Sequence, residues 1–395
     1  MGHEKTSLES FYSTIGQLKR LNSRIFNLIL KKEKIPKRDI SSLRKIYSAL
    51  NSIPKKKGKF TLYHKGIEIQ TKLGYELGEL KKDLIYLEKG EKSLINYLSS
   101  LHKDFSGQKQ AVVKALKAKD FDLFVSDRDG TINNYSERYL SSVQSIYNAV
   151  FVSRFVSHRA KNSIILTSAS LGDFNKVNII PKVFSEKNNL VLGGSKGSEF
   201  FLKKRAEMPL SKNEGSKLRL LEKGIKSILS EKRYRKLVFI GSGFQRKHGQ
   251  LAVARQDIFN SIDKKISREF LEKVASLVNK MNHPKAYFTM NDTGTDIEIT
   301  LRMDNKTFNK GVGVDFILKH LGLKAGNCLV CGDTGSDLSF FDHMKKRNKG
   351  FNAVFVTTDP RLKAKARAIS KETVFVSSPD ILVTALNELS RQDET

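Results

Sequence analysis

Residues 121–135 read FDLFVSDRDGTINNY, and Asp127 and Asp129 close an apolar run that suits a buried strand. Two carboxylates one residue apart at a strand end have two readings. One is an Asp-Gly turn that finishes the strand; the other is a reaction centre. Three later pieces favour the second. Thr167 and Ser168 end the run SIILTS, Lys310 opens a helix in FNKGVGV, and Asp333 and Asp337 follow a further run in CGDTGSD. Acids, a hydroxyl and a lysine in this order, each after a strand or at a helix start, suit phosphoryl transfer through a covalent aspartyl-phosphate. A carboxylate nucleophile that approaches a phosphate dianion needs a divalent cation and a positive side chain, and hard oxygen ligands that leave room for water fit Mg2+. In that chemistry Asp127 attacks phosphorus, while Asp129 protonates the leaving alcohol and later deprotonates water. Thr167 hydrogen-bonds a phosphoryl oxygen and Lys310 offsets its developing charge. The expected metal set is Asp127, Asp129, Asp333 and Asp337, with Asp337 orienting the site from behind.

The elements that must position these residues fall into three patterns. The first stretch, assigned to 1–107, predicts a helical bundle. Thr6 and Glu9 have capping-box spacing, and Leu8, Phe11, Ile15, Leu18, Ile25 and Leu28 recur as a stripe on one helix face. Pro36 ends that helix. A second carries Ile40, Leu43, Ile46, Tyr47 and Leu50, PKKKGK reads as a basic loop, and a long third helix aligns Leu73, Leu77, Leu80 and Leu84 before a shorter one around Leu94–Leu101. From about 108 the runs FDLFVS, NSIILTS and NNLVLGG, then NCLVCGD, NAVFVTT and ETVFVSS, alternate with helical stretches. That is the signature of a parallel sheet covered on both faces, whose ligands bind beyond the carboxyl ends of its strands. Between them, 203–306 predicts an inserted α+β unit with antiparallel strands in KLVFIGSGFQ, GQLAVARQ, KAYFTM and TDIEITLR and a helix near 266–281. The expected division is thus 1–107, 108–202, 203–306 and 307–395.

Composition bounds the alternatives. The chain of 395 residues is 39% hydrophobic and 28% charged, too apolar for general disorder. No apolar run approaches bilayer length and MGHEKTSLES lacks the pattern of a secretion signal, so no membrane insertion and a cytoplasmic setting are expected. Cys328 and Cys331 form a C-x-x-C, but on a strand positions i and i+3 face opposite ways, so both are expected as core residues. The net charge of +30 could attract anionic partners. No zinc-finger spacing or aromatic RNA-recognition signature accompanies it, and the basic residues are spread along the chain, so no nucleic-acid partner is expected. Self-association or partner docking through the N-terminal helices stays open.

D-x-D-G-T after a strand, a Thr/Ser strand end, a later Lys and G-D-x-x-x-D resemble the four motifs of haloacid-dehalogenase-type phosphatases. The resemblance implies an α/β fold with a Rossmann-like core and a parallel sheet, a C2-type α+β cap at the insertion, and an N-terminal helical bundle. GGSKGSEFF (193–201), FIGSGFQRKHGQLAVARQ (239–256), TDIEITLR (295–302), FNKG (308–311) and LVCGDTGSD (329–337) are similar to trehalose-6-phosphate phosphatases, most of all a nematode branch with a helical domain ahead of the core. The second motif reads TSAS where S-G-R is common, and the fourth GDTGSD where G-D-D-x-T-D is common. The resemblance implies trehalose 6-phosphate as the sugar-phosphate substrate, Mg2+ as cofactor, and cap residues Arg246, Lys247, Gln256 and Glu298 as sugar-binding groups; Arg246 and Lys247 could instead solvate a strand edge. Glu199 is expected to brace the junction of core and cap. Two alternatives remain: a phosphatase of the same build acting on another sugar phosphate, such as mannosylglycerate or sucrose phosphate, and a basic interaction protein with a non-catalytic core.

Overall fold

A computed structural model describes residues 6–303, 306–347 and 351–391; the outermost ends of the expected first and last spans, 1–5 and 392–395, lie outside the described residues. Helix α1 (Leu8–Leu30) buries the expected stripe from Leu8 to Ile25, with Leu28 only half-buried. Its cap is Ser7, whose Oγ accepts the Ser10 amide at 3.0 Å. The expected Thr6–Glu9 pair does not form, because the Thr6 carbonyl accepts the Tyr63 amide at 3.0 Å and Glu9 pairs with His64. Helix α2 (Lys37–Asn51) starts directly after Pro36.

The basic loop is in fact part of a small antiparallel sheet: β1 (Lys55–Lys56), β2 (Lys59–His64) and β3 (Ile67–Thr71). Two Lys-Gly pairs make its turns. Lys57 and Gly58 have φ of 51° and 75°, Lys65 and Gly66 of 45° and 81°, the left-handed backbone a two-residue hairpin requires. Helix α3 (Gly74–Leu101) contains both of the helices expected there, separated at Gly90, whose φ of 81° breaks the helical path. Helix α4 (Phe105–Leu116) follows, and residue 107 falls inside it.

The chain then builds an eight-stranded sheet. Strands β4 (Leu123–Asp127), β5 (Ser163–Leu166) and β6 (Leu190–Gly194) run parallel, linked by α5 (Ile146–Arg159), α6 (Leu171–Val177) and α7 (Lys182–Lys187). Strands β7 (Glu199–Phe201) and β8 (Arg205–Glu207) extend that edge antiparallel. The insertion contributes α8 (Lys212–Ser230), β9 (Phe244–Lys247), β10 (Gln250–Ala254), α9 (Lys264–Met281), β11 (Phe288–Asp292), β12 (Asp296–Met303) and the short β13 (Lys306–Thr307), in an antiparallel sheet ordered β11-β12-β10-β9. KLVFIG (236–241), expected as part of a strand, instead begins in the last residues of a 3-10 helix over Lys232–Val238, and Tyr234, Leu237 and Ile240 are buried at steps of three. Helix α10 (Lys310–Leu321), β14 (Cys328–Gly332), α11 (Leu338–Arg347), β15 (Asn352–Val356), α12 (Pro360–Ile369), β16 (Val374–Val376) and α13 (Pro379–Leu389) complete the large sheet.

Its order, β16-β15-β14-β4-β5-β6-β7-β8, sends the chain one way from β4 and the other way after β14. The switch point between β4 and β14 is where such sheets open a crevice, and Asp127 and Asp333 leave it from adjacent strands. Three apolar clusters cover the structure: one joins the N-terminal helices to the α5–α13 face, one lies on the α10–α11 face, and one fills the insertion. Cys331 belongs to the first and Cys328 to the second, on opposite faces of β14 and neither in a disulfide.

The α3 helix carries its charge inward. Glu76, Glu79, Lys82 and Asp83 are all buried. Asp83 accepts the amides of Ile146 at 2.9 Å and Tyr147 at 3.0 Å, capping α5 in place of Ser145, whose side chain makes no cap bond. Asp83→Ala would leave two buried donors unpaired, so unfolding followed by circular dichroism should show a loss of about 2–4 kcal/mol.

Candidate active site

Asp127 is the last residue of β4, and Arg128 donates its amide to Leu166 at 2.8 Å before the chain turns away. The turn closes through the Gly130 amide on the Asn133 carbonyl at 2.7 Å. Gly130 has φ +92°, and a Cβ there would stand 2.2 Å from Asp333 Oδ2 and 2.4 Å from the Tyr135 ring, so only glycine fits. Lys310, the first residue of α10, donates to Asp127 Oδ1 at 2.6 Å and to Asp337 Oδ1. Asp337 Oδ2 accepts the amides of Asp333 at 3.0 Å and Thr334 at 2.8 Å, and the Thr334 hydroxyl at 2.9 Å. Asp333 accepts the Thr131 hydroxyl on Oδ1 and the Tyr135 hydroxyl on Oδ2.

Among the described residues, Asp127, Asp333 and Asp337 form a buried group whose carboxylate oxygens lie within 4.8 Å of one another. Burial drives Asp127 well above the ordinary carboxylate range, eased by Lys310 and reinforced by the other two acids. Burial, with the Asp337 charge, lifts Asp333 to about 7. Asp337 also suffers burial, yet the Lys310 ammonium and two amides hold it below its usual value. Lys310, although buried, is raised by Asp127 and Asp337. One ammonium among three carboxylates leaves an excess of negative charge in a low-dielectric site, and the donors are hard oxygens. The group therefore suits a divalent metal ion.

Asp129 is not in that group. Its Oδ1 receives Arg128 and the Ser142 hydroxyl (3.2 Å), and its Oδ2 receives the Thr167 hydroxyl at 3.0 Å. The side chain that the sequence grouped with the other three acids is turned elsewhere for a backbone reason. Residues i and i+2 share a face only while a strand continues, and β4 stops at Asp127. Arg128 is buried and also donates to Ser142 Oγ at 3.0 Å. Arg128, Thr131, Tyr135, Ser142 and Thr334 were not singled out from the sequence. All but Ser142 lie inside the quoted motifs, and nothing in their periodicity marks them.

Lys310 owes its place to the glycines beside it. A Cβ on Gly311 would stand 2.4 Å from the Ser339 carbonyl, and one on Gly313 would stand 2.1 Å from the Lys196 carbonyl. The start of α10 is thus wedged between α11 and the turn at 195–198. That turn meets the cap. Lys196 pairs with Glu298 at 3.3 Å, and Ser195 Oγ accepts the His248 amide at 3.0 Å. Glu199 accepts Leu171 N at 2.9 Å, Ser195 Oγ and, on its other oxygen, Arg205 at 2.6 Å, so it ties the start of α6 to this junction.

Cross-strand register places Gln245, Lys247, Gln250, Glu298 and Thr300 on one face of the cap sheet, opposite the face that carries Leu251, Val253, Ile297 and Ile299. Lys247 is buried there and pushed down to about 8 by desolvation, against the pull of Glu298. Glu298, itself penalised by burial, is held low by Lys196 and Lys247. A cleft of about 780 Å³ is lined by Ser170 and Glu199 of the core and by Lys247 and His248 of the cap, with Arg246 at its rim. Arg246 is exposed and pairs with Glu222 at 3.3 Å. Gln256 does not join them. Its amide donates to the Ile262 carbonyl at 2.8 Å and accepts the Ile262 and Asp257 amides at 3.0 and 3.1 Å, so its hydrogen bonds are spent closing its own loop. A paired substitution checks the wedge: Gly313→Ala should destabilise the fold by about 1–3 kcal/mol. Gly215→Ala, in α8 with only a flexible Arg219 tip 3.5 Å away, should stabilise it by up to about 1 kcal/mol. Thermal melts of both variants would show opposite signs.

Two family models match this chain. Trehalose-6-phosphate phosphatase, C-terminal, covers residues 124–382, and the trehalose-6-phosphate phosphatase N-terminal helical bundle domain covers residues 7–105. The trehalose-phosphatase of Brugia malayi is 23% identical over 424 residues, spanning 97% of this chain and 86% of that protein. The alpha,alpha-trehalose-phosphate synthase (UDP-forming) 1 of Aphelenchoides avenae is 28% identical over 332 residues, 78% of this chain but only 28% of that longer protein. The C-terminal domain of the C. albicans trehalose-6-phosphate phosphatase shares the fold, with a TM-score of 0.50 at 17% identity over 71% of this chain and 96% of that one. The fold is accordingly the haloacid-dehalogenase-type α/β core with a cap, preceded by a helical domain, and the chain belongs to the trehalose-6-phosphate phosphatase family.

Proposed function

We propose that this protein is a Mg2+-dependent phosphatase that hydrolyses trehalose 6-phosphate to trehalose and phosphate through an aspartyl-phosphate on Asp127. The observation that carries the reading is the Lys310 ammonium held between Asp127 and Asp337, with Asp333 completing a buried acidic group at the switch point. An Asp127 oxygen forms a bond to phosphorus as the bond from phosphorus to the sugar oxygen breaks, and Asp129 delivers the proton to the departing alcohol. Water then attacks the phosphorus of the acyl-phosphate and loses its proton to Asp129, which frees phosphate and restores the Asp127 carboxylate. Thr167, whose hydroxyl donates to Asp129 in this structure, would turn it to a phosphoryl oxygen, and Lys310 would offset charge on the transferring group. Mg2+ held by Asp127, Asp333 and Asp337 would neutralise the charge that nucleophile and phosphate share. The polar cap face with Lys247 and Glu298 would read sugar hydroxyls, whereas Arg246 pairs across to Leu251 on the other face and binds Glu222.

The division at 107, 202 and 306 carries this assignment as a proposal. An apolar cluster limited to residues 210–301 fits a cap inside the 203–306 span, whereas β8 past residue 202 stays in the core sheet and α4 straddles the first boundary. A cytoplasmic setting is proposed on the two cysteines, neither in a disulfide, and no helix among the described residues is long and apolar enough to cross a membrane.

Phosphate release measured against trehalose 6-phosphate, glucose 6-phosphate and sucrose 6-phosphate tests the substrate. A clear preference for the first is expected, and equal rates would remove it. Asp127→Asn should abolish turnover while the circular dichroism spectrum of the folded protein is retained. The cation has a signature independent of turnover. Asp333 sits near 7 in the metal-free fold against an ordinary 3.8, so the unfolded chain loses this proton first and the site costs stability as pH rises between the two. Mg2+ should therefore raise the melting temperature more at about pH 7.5 than at about pH 5, where Asp333 holds a proton. An equal rise at both would count against Asp333 as a ligand.

A further inference from the structure

The segment from Thr131 to Ser145 leads from β4 to α5, and apart from one 3-10 turn it has no helix or strand of its own. It nonetheless supplies the groups that orient the acidic cluster. Tyr135, on its first arm, donates to Asp333 Oδ2, and Ser142, on its second arm, donates to Asp129 Oδ1. A connection of this length is held in one shape only if something staples its two arms.

The N-terminal helix α3 does so with successive side chains of one buried face. The Tyr75 hydroxyl bridges Asn133 Oδ1 at 3.0 Å and the Val143 carbonyl at 2.7 Å. Glu76 Oε1 accepts the hydroxyls of Ser136 and Ser141. Glu79 accepts the Asn134 amide at 3.0 Å on one oxygen and the Ser145 hydroxyl at 2.7 Å on the other. Each of the three joins an early position of the segment to a late one. Lys82 then neutralises Glu79 and anchors the face to Asp380 of α13, 2.9 Å from both of its oxygens. Buried charges are costly unless partnered, and Glu76 Oε1 and both oxygens of Glu79 find partners on the two arms of the loop that carries Tyr135.

We propose that the buried polar face of α3 is a positioning element for the reaction centre: by stapling residues 133–136 to 141–145 it sets Tyr135 on Asp333 and Ser142 on Asp129. The N-terminal helical domain then works as part of the catalytic unit. The inference rests on the reading of Asp333 as a cation ligand, and its test is built to separate the two.

Full-length Glu79→Ala, Glu79→Gln, Tyr135→Phe and Glu91→Ala are compared by calorimetric titration with Mg2+, by kcat and KM, and by melting temperature. Glu91 is the control. It lies on the same helix beyond Gly90 and pairs with Arg154 at 2.8 Å and Asn387 at 2.6 Å, so it ties α3 to the core without touching the segment. Tyr135→Phe should weaken Mg2+ binding about tenfold, and Glu79→Ala about threefold or more, with kcat lowered and KM nearly unchanged. Glu79→Gln, which keeps an acceptor for Asn134, should recover most of the loss, and Glu91→Ala should cost melting temperature alone. If Glu79→Ala does not fold, Tyr75→Phe, which removes one hydroxyl, carries the same expectation. A folded Glu79→Ala that binds Mg2+ like the wild type would overturn this inference alone. So would Glu91→Ala weakening Mg2+ as much. Wild-type protein that bound no Mg2+ would overturn the reading of the acidic cluster and this inference with it.

Discussion

A lysine ammonium buried between two aspartates is the contact on which the centre of this molecule depends. Lys310 reaches Asp127 from the start of α10 and Asp337 from the loop after β14, so one cation ties together three pieces of chain that are far apart in sequence. Burial alone would neutralise these acids by drawing protons onto them. The ammonium offsets that pull for Asp337 and eases it for Asp127, while Asp333 is left high. The remaining excess of negative charge gives the site its chemistry: a fully compensated cluster would have no use for a cation, and an isolated one would be protonated. The positions that hold Lys310 are correspondingly strict. Glycines at 311 and 313 bring α10 to the Ser339 and Lys196 carbonyls closer than any side chain would allow.

The same contact organises the outer layers. The turn that Gly313 touches is also the turn that meets the cap, through Lys196 on Glu298 and Ser195 on His248. Core and cap therefore meet at this turn, beside Lys310. On the opposite side, the N-terminal helices merge their apolar residues with one face of the core sheet in a single cluster. Their acidic residues continue inward as hydrogen-bond acceptors for the loop behind Asp127. The family relationship supports this layout, since a helical domain ahead of the phosphatase domain is itself a recognised part of the family.

Much of this was legible in the sequence because it follows from period and punctuation. Apolar runs ending in Asp127, Thr167 and Gly332 marked the parallel strands, and their carboxyl ends marked the site. The opposite placement of Cys328 and Cys331 followed from the alternation of a strand. The failures have equally local causes. Lys57-Gly58 and Lys65-Gly66 are hairpin turns without the usual Asn or Asp, so a small sheet passed for a loop. The apolar run KLVFIG has the composition of a strand, but its buried residues sit three apart. In α3 the expected leucine stripe is only part of what is buried: Glu76, Glu79, Lys82 and Asp83 are more deeply buried than Leu77 and Leu84.

What the sequence by itself determined is the identity of the reactive groups and the strand ends that carry them. Residue type and two-residue or 3.6-residue periods are local properties that a single chain records. What only the tertiary structure decided is the company each group keeps. Asp333 and Asp337 meet Asp127 through Lys310, Asp129 turns to Thr167, Gln256 is spent on its own loop, and α3 turns its charge toward the loop that bears Tyr135. A hydrogen bond between residues tens or hundreds of positions apart leaves no periodic trace. It exists because buried polar atoms must find partners, and the fold determines which partners lie within reach.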